Sequence, residues 1–200
     1  MAAGDRDQRD PASHFQPGER LLEQAAALSR RPVAPERLEH FCIAAMRAAG
    51  LRDEHARTTA QVLVTTDTWG TFTHGCKQLR FLLRNVREGR LSAAAEPTVA
   101  RAGPAWAIVD GHYAMPMVTS CWAMERAVAK AREAGIAYVG VIHSSHFGAA
   151  GYYAVLAALQ GLIGLSMCNV DPGVTVPGAR GPVLGTNPIA YAVPAEPGRP

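Results

Sequence analysis

The sequence predicts an α/β protein, with a helical unit first and a sheet-based unit after it. Before Arg90, apolar residues recur at spacings of three and four. After residue 96 they come in short strand-like runs bounded by Gly, Pro and Asp. The composition, 48% hydrophobic and 18% charged over 200 residues, describes a soluble globular chain of one domain or two small ones.

Residues 1–18 are polar, contain two prolines and lack periodicity, so a disordered tail is expected. Residues 21–28 suggest a short helix, and Arg30-Arg31-Pro32 a hinge, making 1–32 a tail and linker. In 35–49, Leu38, Phe41, Cys42, Ala45, Met46 and Ala49 share one helical face, with Pro35 in the first turn and Gly50 as the stop. A second helix is expected from Asp53, read as its N-cap, to about Asp67, with Val62, Leu63 and Thr66 inward. A third runs from about Gly75 to Glu88, burying Leu79, Leu82, Leu83 and Val86. These helices define a helical domain over 33–95.

Strands follow at 98–102 and 105–109, separated by the turn Gly103-Pro104. Asp110-Gly111 is a further turn signal. A long helix over 117–133 ends at Gly135. Residues 136–142, IAYVGVI, read as the strongest strand, followed by the loop 143–148 and a small-residue helix over 149–160. Further strands are expected at 162–167 and 189–193, giving a sheet domain over 96–200.

Composition also excludes classes of function. The formal net charge is +3, and no basic run concentrates it, so nucleic acid is not an expected partner. No apolar run reaches the roughly 18 residues of a spanning helix, so no membrane is expected. Cys42, Cys76, Cys121 and Cys168 are far apart in sequence and form no CxxC pair, which predicts scattered reduced thiols in a cytoplasmic protein.

Two histidine loops stand out. Phe72-Thr73-His74-Gly75 joins helices two and three, and His143-Ser144-Ser145-His146-Phe147-Gly148 follows the best strand. Loops at the carboxyl ends of strands are where α/β sheets hold ligands. A histidine there can exchange a proton near neutral pH. His143 and His146 also have the spacing of a weak metal motif. No Glu lies between or beside them, and no metal is assigned. No GxGxxG, Walker A or GxSxG motif occurs, which disfavours a standard Rossmann site, a P-loop enzyme and an α/β-hydrolase.

Four segments in order resemble one family. They are the THG loop after Asp67-Thr-Trp-Gly70; KAREAGIAYVGVIHSSHFGAAGYYA at 130–154; GLIGLSMCNVDPGVTVPG at 161–178; and GTNPIAYAVP at 185–194. Across about 33–194 the chain resembles the malate/L-lactate dehydrogenase family that lacks a Rossmann fold, which includes ureidoglycolate dehydrogenase and piperideine-2-carboxylate reductase relatives. The resemblance implies a largely antiparallel NAD(P)-binding sheet and a homodimer. It also implies hydride transfer between NAD or NADP and a small 2-oxo, 2-hydroxy or cyclic imino acid.

The same resemblance makes His74 the proton donor, Thr73 the hydroxyl that orients it, and His146 the second catalytic histidine. Ser144, Ser145, His146, Phe147, Gly148, Asn169, Val170 and Asn187 fall on cofactor-lining positions, and Lys77 and Gln78 on substrate-binding ones. Three features depart from the pattern. Gln78 stands where relatives carry a carboxylate-gripping Arg, and an amide cannot make that charged fork. Val170 replaces a small polar residue. The family pattern also continues beyond residue 200, so an incomplete, truncated sheet domain is expected. The alternative reading is a non-catalytic relic or binding subunit that keeps the family's dimer surface.

Overall fold

A computed structural model describes residues 32–196. The expected tail, short helix and Arg30-Arg31 part of the hinge lie outside them. All elements below belong to the compact unit Pro35–Pro200.

The helical half follows its sequence pattern closely. Helix α1 (Pro35–Ala48) buries Cys42, Ile43 and Met46. Gly50, at φ +91°, lets the chain turn while Leu51 N–H donates back to Met46. Helix α2 (Asp53–Thr68) corrects one expectation. Its N-cap is Arg52, without a side-chain cap bond, and Asp53 is the first helical residue. The Asp53 carboxylate instead accepts from Arg57 one turn on, at 2.7 Å, and pairs with Arg47 of α1. The third helix is also shorter at its start. Cys76–Gln78 form a 3-10 turn, and α3 proper is Leu79–Arg87. Leu79 and Leu82 are buried as expected, Leu83 and Val86 only half-buried, and Asn85 takes a buried place.

In the second half, β1 (Thr98–Gly103) and β2 (Trp106–Asp110) form an antiparallel hairpin. Helix α4 (Pro116–Ala134) starts with Pro at its first turn and stops at Gly135, φ +81°, whose N–H donates to Ala131. It carries the chain across to β3 (Tyr138–Ile142), which pairs with β2 in parallel, Asp110 opposite Ile142. The strand predicted as strongest is thus two residues shorter and sits at the edge of the order β1-β2-β3, with Tyr138 and Ile142 exposed. Helix α5 (Ala150–Ala158) leads to a second, two-stranded antiparallel sheet of β4 (Gly164–Met167) and β5 (Ile189–Ala192).

The main core is shared by the two halves of the sequence. Cys42, Met46, Val62, Leu63, Leu79 and Leu82 from α1–α3 pack with Met115, Met117, Tyr152 and Tyr153. That packing places the turn before α3 beside the loop between β3 and α5. By contrast the β4–β5 strands leave Leu165, Met167, Ile189 and Tyr191 exposed. No helix among the described residues is long and apolar enough to cross a membrane.

Candidate active site

The loop bearing His74 is built onto α2. Asp67, in the last turn of α2, points its carboxylate back under the loop, where Oδ2 accepts from Cys76 N–H at 3.1 Å. Gly75 is required there, because a Cβ on it would lie inside van der Waals contact with that carboxylate and 3.0 Å from Leu63 O. His74 N–H donates to Thr71 O at 3.0 Å, and the Gln78 amide donates to Thr73 O at 2.6 Å. Together they fix the backbone on both sides of His74.

The second loop is anchored by aromatic packing. Phe147 stacks on buried Tyr153 at 5.0 Å and 7° between planes, and the Tyr153 hydroxyl donates to Phe147 O. Gly148, at φ +83°, brings its backbone against the His74 loop; a Cβ there would sit 3.5 Å from His74 O. The result is that the His74 and His146 rings stack, centroids 5.5 Å apart and planes 28° apart. The Phe81 ring meets His146 edge-on at 6.2 Å.

The ring nitrogens are held differently. Thr73 Oγ1 lies 2.8 Å from His74 Nδ1. Gly148 N–H donates to His146 Nδ1 at 3.3 Å, so a neutral His146 carries its proton on Nε2. Desolvation by the surrounding groups, then the charge of His74, lower the pKa of His146. Both effects favour the neutral form of His146.

The other expected site residues divide into two groups. Ser144 is half-buried, Ser145 is exposed, and both stand on the His146 loop. Asn169, Val170 and Asn187 gather after β4 and before β5, where Asn187 Oδ1 accepts from Val170 N–H at 2.9 Å. Asn187 sits at φ +40°, and Gly185 packs so tightly on Val170 O that a Cβ would collide with it. Lys77 is exposed on the 3-10 turn. Gln78 is half-buried, its amide engaged on Thr73 O.

Sequence reasoning misses Asp110. In sequence it is a turn signal, yet its carboxylate accepts from His143 Nδ1, 3.0 Å from both oxygens, and from His112 N–H at 2.8 Å. Those bonds, the His112 one foremost, lower its pKa despite some desolvation. His112, Tyr113 and His143 all adopt positive φ, a strained conformation for such residues. The two histidines of HxxH have different partners, His143 on Asp110 and His146 on His74. The signal that could have found Asp110 is its place at the carboxyl end of β2, beside that of β3.

Among the described residues, one cluster has metal-ligating composition: Glu54, His55 and Glu96. Arg52 sits within it, 2.7 Å from Glu54 Oε1 and also paired with Glu96, so a guanidinium already supplies the positive charge there.

Comparison with known proteins matches residues 33–200 to the profile of the family described as malate/L-lactate dehydrogenase. Malate dehydrogenase of Pyrococcus horikoshii is 36% identical over 164 residues, 82% of this chain and 46% of that protein. Ureidoglycolate dehydrogenase (NAD(+)) of Escherichia coli O157:H7 is 38% identical over 148 residues, 74% of this chain and 42% of that protein. The solved malate dehydrogenase of P. horikoshii superposes with a TM-score of 0.80, covering 83% of this chain and 48% of that one at 36% identity. Delta1-piperideine-2-carboxylate reductase from Pseudomonas syringae gives 0.75 at 30% identity, covering 84% and 51%. The chain spans about half the length of these relatives. The profile match and the superpositions, together with the four segments in order, place this chain in the malate/L-lactate dehydrogenase family.

Proposed function

We propose that the chain carries the proton-transfer half of an NAD(P)-dependent oxidoreductase acting on a small 2-oxo, 2-hydroxy or cyclic imino acid. The observation that carries this is the His74–His146 stack with Thr73 at His74 Nδ1. Relatives named as NAD(+)- and NADP(+)-dependent dehydrogenases and a piperideine-carboxylate reductase support the reaction class.

The chemistry of each group follows from its partners. When protonated, His74 donates Nδ1–H to the Thr73 hydroxyl and presents Nε2–H to the substrate oxygen or nitrogen. After that proton leaves, Nδ1–H stays on Thr73 and the Nε2 lone pair is ready for the reverse transfer. His146, neutral, offers Nε2–H as a hydrogen-bond donor beside the same atom. In this reading the helical region 33–95 and the sheet region 96–200 each supply one wall of the site.

A nicotinamide dinucleotide fits the donor set of the second wall. Ser144, Ser145, His146, Phe147 and Gly148 would hold it at the His146 loop, and Asn169, Val170 and Asn187 at the connection between β4 and β5. When bound, such a cofactor supplies or accepts the hydride. Four free cysteines support a cytoplasmic setting, and the exposed apolar residues of β4–β5 support a homodimer.

The alternative, a non-catalytic binding subunit, draws on Gln78, which presents no charge to a carboxylate and whose amide is engaged on Thr73 O. NAD(P)H fluorescence titration and NAD(P)H oxidation with pyruvate, oxaloacetate and piperideine-2-carboxylate separate the two. The expected result is cofactor binding with weak turnover, reduced about 10²–10⁴-fold by His74→Ala. Turnover unchanged by His74→Ala would refute the proton-transfer role. Cofactor binding without any turnover would favour the alternative.

A further inference from the structure

Cys42 and Cys76 lie 34 positions apart, and no motif links them. The fold nevertheless brings their sulfurs to 3.7 Å. Cys42 is wholly buried on α1, whereas Cys76 is half-buried on the 3-10 turn, two residues after His74. The expectation of four scattered thiols is thereby corrected for this pair. The other two stand elsewhere, Cys121 on α4 and Cys168 just after β4.

We infer that Cys42 and Cys76 form a thiol–disulfide exchange site, open to low-molecular-weight disulfides such as oxidised glutathione, whose product ties α1 to the His74 loop. The asymmetry of burial sets the order of events. A reagent reaches Cys76 from solvent and is kept from Cys42 by the helical core. The hydrogen bond with Cys76 lowers the pKa of Cys42, against burial and the charges of Asp67 and Glu39. That bond, burial and Asp67 raise the pKa of Cys76. Burial disfavours ionisation of both thiols, so access from solvent, rather than acidity, singles out Cys76 as the attacking sulfur.

The step balances as follows. Cys76 gives its proton to solvent, and the resulting thiolate attacks one sulfur of oxidised glutathione. The Cys76–glutathione bond forms, the glutathione disulfide breaks, and one glutathione thiolate leaves. Cys42 then gives its proton to that thiolate and attacks Cys76 Sγ, expelling the second glutathione thiolate, which takes up the proton Cys76 released. Two protein sulfurs lose two electrons to become a disulfide, and one glutathione disulfide becomes two thiols. Closing from 3.7 Å to a bond of about 2.05 Å takes a movement of about 1.6 Å. The short 3-10 turn, rather than the packed helix α1, accommodates it, so the oxidised form holds the backbone at 74–78 in one position.

The test uses the whole 200-residue chain in glutathione buffers of graded redox ratio, followed by acid quench, alkylation and non-reducing peptide mapping by mass spectrometry. The expected result is one cross-linked pair, Cys42 with Cys76, and a fall in alkylatable thiols from four to two that dithiothreitol reverses. Cys42→Ser should stop the reaction at a glutathione adduct on Cys76. Hydrogen exchange at 74–78 should slow in the oxidised chain. Retention of all four thiols, a lasting glutathione adduct on Cys76 in the unmutated chain, or linkage through Cys121 or Cys168 would overturn the inference. The cross-link is read on the unmutated chain, so it stays measurable even if Cys42→Ser fails to fold. No cofactor is involved, so the result stands apart from the oxidoreductase reading.

Discussion

Replacing Gly75 by Ala tests how the His74 loop is held. The added Cβ would enter the volume of the Asp67 carboxylate and lie 3.0 Å from Leu63 O. Overpacking of this kind costs about 1–3 kcal/mol. Pushing the carboxylate away also strips Cys76 N–H of its acceptor, adding about 1–2 kcal/mol. A total near 3 kcal/mol corresponds to a loss of about 6–12 °C in Tm for a chain this size. Asp67→Ala alone removes the acceptor without a clash and should cost about 1–2 kcal/mol. The double variant removes the group that Gly75→Ala collides with, so it should be more stable than Gly75→Ala alone. Urea denaturation of all four proteins gives the coupling energy, expected at about 2–3 kcal/mol in favour of the double variant. Strict additivity would refute the account of Gly75 as a seat for Asp67. A Gly75→Ala variant as stable as the parent would refute it outright.

Three further outcomes are expected. Gln78→Arg, which restores a charged fork at the cost of the bond to Thr73 O, should lower the KM for 2-oxo acids about tenfold or more, read in NAD(P)H oxidation kinetics. Stability should fall as pH drops through about 6.5. Burial, then the charge of Arg52, lowers the pKa of His55, and desolvation lowers that of His146, so the unfolded chain takes up protons that the folded one refuses. Stability is complete above that range, and the Tm profile of His55→Gln should flatten between pH 7.5 and 5.5. Gly164→Ala should cost about 2–4 kcal/mol by thermal melting, because a Cβ there would strike the Ala154 carbonyl and lie 2.9 Å from Ala157 Cβ, wedging β4 off α5.

The helices and strands were legible because each is written in local periodicity and punctuation. Apolar spacing and glycine stops delimited α1, α2 and α4. The errors fell at boundaries, where local chemistry competes: Asp53 resembles an N-cap, but its carboxylate is drawn to Arg47 and Arg57. Residues 136–142 read as the strongest strand because apolar content reports hydrophobicity, which carries no information about position in a sheet. Pairing with β2 alone leaves β3 at an edge.

The sequence by itself determined the α/β class, the element order, the family and the two histidine loops. It did so through patterns spanning a few to some twenty residues, which chain geometry converts directly into elements. Only the tertiary structure decided which side chains meet. It stacked His74 on His146, set Asp110 against His143 across parallel strand ends, and brought Cys42 to Cys76. Those pairs are separated by tens of residues: His74–His146 and Cys42–Cys76 meet through how α1–α3 pack with Met115, Met117, Tyr152 and Tyr153, and Asp110–His143 through the parallel pairing of β2 with β3. Packing of that kind is a property of the whole core, fixed by volume and shape across many side chains at once, and no local stretch of sequence encodes it.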